Sequence, residues 1–124
     1  MVQPTQPYSR LKNYTENMTI TISTDDQNSN SFDMQGSKLR ALIMPSVLTS
    51  NKFQLQFSID NSFWYNFTNI TGITQDIQHS ADGLVFLNDF DFLSDGYLRV
   101  RTNSSELADR TFIGIFGWYY VYGN

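Results

Sequence analysis

The chain has 124 residues, a formal net charge of −4, 40% apolar residues and only 16% charged ones. That length suits one domain with a real core, and that apolar content excludes a disordered chain. The acidic balance argues against a nucleic-acid binder, which needs clustered Lys and Arg to displace counterions; the absence of Cys excludes disulfides and thiolate zinc sites.

Residues 1–16 carry Pro4 and Pro7 and few apolar groups. The segment reads either as a frayed terminus or as an extended N-terminal arm that lies on a neighbouring subunit, with Tyr8, Leu11 and Tyr14 as its spaced anchors. The start, Met1–Pro7, lacks the basic and apolar regions of a signal peptide, so the expectation is a soluble product made in a cytoplasm. The Asn-x-Ser/Thr matches at Asn13, Asn17, Asn66, Asn69 and Asn103 are then products of a composition rich in Asn, Ser and Thr.

A folded domain is expected over 17–124. Met18–Ile22 alternates apolar and polar residues and reads as the first strand; Phe32 and Met34 mark a short strand closed by Gly36. Leu39–Met44 is apolar on both faces from Ala41 onward, as a central strand would be, and Pro45 ends it because proline cannot donate to a ladder. In Phe53–Ile59 the residues Phe53, Leu55, Phe57 and Ile59 alternate with Gln54, Gln56 and Ser58, which predicts one core-facing apolar edge. Asp60-Asn61-Ser62 suits a tight hairpin turn, after which Phe63, Tyr65 and Phe67 resume the alternation.

Asn69–Gly83 shows no clear period. Leu84–Leu87 reads as a short buried strand. Tyr97–Arg101 alternates, with Leu98 and Val100 facing in and Arg99 and Arg101 facing out. Asn103–Asp109 reads as a polar loop, and Thr111–Phe116 and Trp118–Tyr122 as last strands hinged at Gly117. The longest apolar run, Phe112–Tyr122, is too short to span a bilayer, which takes about 20 residues. Eight or nine short strands with no helical period predict an all-β fold, an antiparallel β-sandwich of jelly-roll type.

Little here reads as reaction chemistry. His79 is the one histidine, with no nucleophile elbow near any serine, and reads as a loop residue. Asp89, Asp91 and Asp95 share one acidic loop, which could in principle hold a calcium ion or supply a carboxylate pair. Their spacing misses the EF-hand order, so a solvated turn is expected. The expectation is a protein without cofactor or metal, and not an enzyme. The tail Phe116–Tyr122 is different: alternation places Trp118, Tyr120 and Tyr122 on one face and Tyr119 and Val121 on the other, so either both faces pack in a core or one needs cover from a partner subunit or a stacked sugar.

Two stretches carry a resemblance. Ile43-Met-Pro45, Leu48-Thr-Ser50, Phe53-Gln-Leu-Gln-Phe-Ser58, Asp60 and Phe63-Trp-Tyr-Asn-Phe67 form one; Gly96-Tyr-Leu-Arg-Val-Arg101 and Ala108-Asp-Arg-Thr111 form the other. Together they span roughly half of the chain and resemble small β-sandwich virion proteins of tailed bacteriophages. The pattern departs at Asn61, where such proteins often carry Gly. The resemblance implies a virion location and a structural role, most specifically a capsid decoration or cement subunit. Such a subunit would act as a symmetric homo-oligomer, such as a trimer, that binds the major capsid protein or other virion proteins. It implies no catalytic residue. Tail, adaptor or fibre-base placement is the alternative within the virion, and a carbohydrate-binding module using Trp64, Trp118 and Tyr120 is the alternative from another class. Tyr8, Leu11, Tyr14, Trp118, Tyr120 and Tyr122 are the expected interface residues.

Overall fold

The computed structural model describes the backbone of residues 10–87 and 95–122 and the side chains of 17–87 and 95–117. The strands are β1 (Arg10–Ile22), β2 (Phe32–Asp33), β3 (Lys38–Ile43), β4 (Lys52–Ser58), β5 (Tyr65–Asn66), β6 (Ile77–Gln78), β7 (Leu84–Phe86), β8 (Tyr97–Thr102) and β9 (Arg110–Tyr122). One antiparallel sheet has the order β1-β9-β3-β7. The other has β2-β8-β4-β5, with β6 also paired to β4. The fold is all-β.

The sheets meet across a single core. Ile20, Ile22, Leu39, Leu42, Phe112 and Phe116 come from the first sheet; Phe32, Phe53, Leu55, Leu98 and Val100 come from the second. Ring edges lock the layers: Phe53 meets Phe112 at 5.0 Å between centroids, and Phe32 meets Phe116 at 5.4 Å. Such edge-to-face pairs add to the area they bury. A register shift between Leu39 and Ala41 turns Leu39 and Leu42 to the same inner side, which simple alternation would not allow.

Several expectations need correction. β1 does not wait for Met18 but begins at Arg10, because every residue from Arg10 to Ile22 finds a partner on β9. β9 is likewise one strand through Gly117, with no hinge there. On β4 the inward edge stops early: Phe53 and Leu55 are buried, Phe57 is half-buried and Ile59 is 75% exposed. Gln56 and Ser58, expected outside, are buried instead. The link to β5 is longer than a tight turn, since Phe57 pairs Tyr65. Asp60 Oδ1 accepts the amides of Ser62 and Phe63 at 2.9 and 3.1 Å, Asn61 takes φ 64°, and Phe63 and Tyr65 end up exposed. Leu84–Phe86 forms an edge strand, not a buried one.

Candidate assembly surface

Registers across the first sheet fix what shares its outer face. Thr19, Ile113, Ile43 and Leu84 form one row, and Asn17, Ile115, Ala41 and Phe86 form the next. Opposed residues share a face, so apolar side chains from β9, β3 and β7 gather there. They are not covered: Phe86 is 69% exposed, Leu84 51% and Ile113 36%, with Ile43 and Ile115 half-buried beside them. The patch continues at one end into an open depression of about 470 Å³, bordered by Val47, Asp82, Asp109 and Arg110. A contiguous apolar patch with a polar rim is the surface type that docks another macromolecule.

The second feature is the long ribbon of β1 and β9. β3 pairs with β9 only as far as Lys38 opposite Gly117. Beyond that point the described ladder holds two strands, Arg10–Tyr14 against Trp118–Tyr122. The register sets Tyr14 opposite Trp118, Lys12 opposite Tyr120 and Arg10 opposite Tyr122, all at positions of one face; Leu11 falls opposite Val121 on the other. Thus Tyr14, Trp118, Tyr120 and Tyr122, drawn from the two ends of the sequence, share one face of the ribbon, while Leu11 does not join them. Tyr8 lies outside the described residues.

The charged groups inside the fold hold loops together. Glu106 is fully buried. Its Oε1 accepts the Thr49 amide at 2.7 Å and Arg110 Nε at 2.9 Å, and its Oε2 accepts the Ser50 amide at 3.2 Å. Burial by itself would push this carboxyl up, but the Thr49 amide, the Arg110 guanidinium and the Ser50 amide together hold it below its ordinary value. Its backbone also bonds Asp25 and Asp26. On the second sheet, Gln56 accepts from Arg99 Nε at 2.7 Å and donates to Asn66 at 2.8 Å, while Trp64 stacks on the Arg99 guanidinium at 4.3 Å. One face of Trp64 is therefore already occupied.

His79 sits half-buried, its ring Nε2 2.8 Å from the Pro45 carbonyl, and so anchors the turn after β3. Asp95 is exposed just before β8; Asp89 and Asp91 lie outside the described residues. Among the described residues, no three His, Asp or Glu side chains converge as a ligand set. The expectation from sequence missed Leu84 and Phe86 as surface residues. An unbroken Leu-Val-Phe-Leu run carries no signal that separates an edge strand from a buried one. It also missed Glu106, whose only sequence sign was Arg110 four residues on. No protein-family model matches the chain, and no curated protein is detectably related to it.

Proposed function

We propose that this protein is a structural, non-enzymatic component of a tailed-bacteriophage virion, most specifically a capsid decoration or cement subunit that self-associates and binds neighbouring capsid subunits. One observation carries the reading: the uncovered apolar face of Leu84, Phe86 and Ile113, with Ile43 and Ile115 beside it, on the first sheet. Covering that face removes apolar area from water at about 25 cal/mol per Å². The rows themselves carry no charged side chain, so the charges stay at the rim, where contact need not desolvate them. Several such contacts on one particle reinforce each other through effective concentration. The resemblance of the Ile43–Phe67 and Gly96–Thr111 stretches to phage virion sandwiches supports the setting. Consecutive strands from β1 to β4 alternate between the two sheets, as do β7, β8 and β9, which supports a jelly-roll topology.

The competing reading is a carbohydrate-binding module, favoured by Trp64 beside exposed Phe63 and Tyr65. Co-sedimentation of the purified protein with heads assembled from the major capsid protein of the same genome, run beside a glycan array, separates the two. Binding to heads with no specific glycan supports the virion reading. Array binding abolished by Trp64→Ala, with no binding to heads, replaces it.

A further inference from the structure

β1 ends the first sheet, and among the described residues its side away from β9 is an open edge. The other edge strands, β2, β5, β6 and β7, are two or three residues long, whereas β1 has 13. Folded proteins ordinarily keep edges short or interrupted, because a long edge presents unpaired amides and carbonyls to any strand that fits. Here, among the described residues, one end is closed. The Thr21 amide donates to Asn30 Oδ1 at 2.8 Å, and the Thr21 carbonyl accepts the Asn30 amide at 3.2 Å. Since hydrogen-bonding direction alternates along an antiparallel strand, this fixes the odd-numbered residues as those whose backbone groups point away from β9. From Thr19 back to Leu11, no described strand or bridge pairs with that side.

We propose that the occupant of this edge is β1 of a second copy, paired antiparallel about a two-fold axis at Tyr14. Outward backbone groups must meet outward ones, so odd residues oppose odd residues, which restricts the axis to a few positions. An axis at Tyr14 sets Asn13 opposite Thr15 and Leu11 opposite Asn17 as the hydrogen-bonded pairs. It sets Lys12 opposite Glu16, and by symmetry does so twice. Moving the axis to Thr15 lengthens the overlap but opposes Lys12 to Met18 and Tyr14 to Glu16. Moving it to Asn13 shortens the overlap of described residues. Charge complementarity selects Tyr14 over Thr15, and length selects it over Asn13. A two-fold that continues the sheet keeps both outer faces on one side. The Leu84 and Phe86 patches of the two copies would then face the same surface, giving two points of attachment. The inference rests on the self-association in the proposed function and names its surface.

The full-length protein tests it by light scattering after size exclusion. The expected result is a dimer. Asn13→Pro removes an outward amide and no bond to β9, so it gives a monomer with an unchanged fold. Lys12→Glu also gives a monomer, and adding Glu16→Lys restores the dimer. Because the chain has no cysteine, Tyr14→Cys reports directly: it forms an intermolecular disulfide across the axis, and Thr19→Cys does not. A trimer or other oligomer that survives both Asn13→Pro and Lys12→Glu overturns the β1 edge while leaving self-association intact. A monomeric wild type at high micromolar concentration overturns both. Should Asn13→Pro fail to fold, the charge reversal and the disulfide decide.

Discussion

Glu106 Oε1 lies 2.9 Å from Arg110 Nε, with the carboxylate fully buried and the guanidinium partly so. This pair closes the end of the sandwich where the loops after β1, β3 and β8 meet. Removing one partner strands the other, along with the Thr49 and Ser50 amides. Glu106→Ala is expected to cost about 3–5 kcal/mol, measured by urea denaturation. A loss under about 1 kcal/mol would mean that water replaces the carboxylate freely.

The same group sets an acid response. Its folded-state pKa lies below its ordinary value of 4.5, so its contribution is fully present above the unfolded-state value. The contribution disappears as pH falls through the folded-state value. Wild type should therefore lose stability progressively below about pH 4.5, and the gap between wild type and Glu106→Gln should narrow over that range. A gap that stays constant from neutral pH to pH 3 would rule out this origin.

On β4 the structure reverses part of the simple pattern. Leu55→Ala should cost about 2–5 kcal/mol by opening a cavity between the sheets. Gln56→Ala should cost about 1–3 kcal/mol, because Arg99 and Asn66 lose a buried partner. Phe57→Ala, at a half-buried position against Phe67, should cost less than Leu55→Ala. Chemical denaturation of the three variants orders them; a negligible effect of Gln56→Ala would return the outer face of β4 to solvent.

The limits of alternation explain why. Phe53 and Leu55 were legible because β8 pairs with both and their side chains reach the core between the sheets. Ile59 was not, because the strand ends before it and the chain turns into solvent. Gln56 is held by Arg99 and Asn66 from the strands on either side, and Ser58 by Asp60 of the following loop, partners that a period-2 pattern cannot reveal. The strand character of Tyr97–Arg101 and its inward Leu98 and Val100 were readable, since β4 pairs with the whole run and both side chains join the core. The extension of β1 back to Arg10 depends on a partner a hundred residues away, and no local signal in Arg10–Glu16 announces it. Likewise, the exposed rows on the outer face arise from registers among β9, β3 and β7, not from any one segment.

Gly96 makes a sharper test of the packing against Phe57. It takes φ +95°, and a Cβ there would lie 2.6 Å from Phe57 Cε1 and 2.9 Å from the Ser58 carbonyl. Both strain and overlap oppose any side chain. Gly96→Ala should lower stability by about 1–3 kcal/mol and shift the Phe57 ring signals in NMR spectra. An unchanged melting temperature would show that the β8 entrance yields easily.

The central claim is that the outer face of the first sheet carries attachment to the particle. The direct measurement is occupancy on heads that lack the protein, titrated with wild type, Phe86→Ser and Ile59→Ser. Residue 86 lies in the apolar rows; Ile59 is equally exposed but lies on the β4–β5 loop of the other sheet. Phe86→Ser should bind at least about tenfold more weakly, a difference of about 1.4 kcal/mol, while Ile59→Ser matches wild type. Equal occupancy for all three proteins, each folded, would contradict the account.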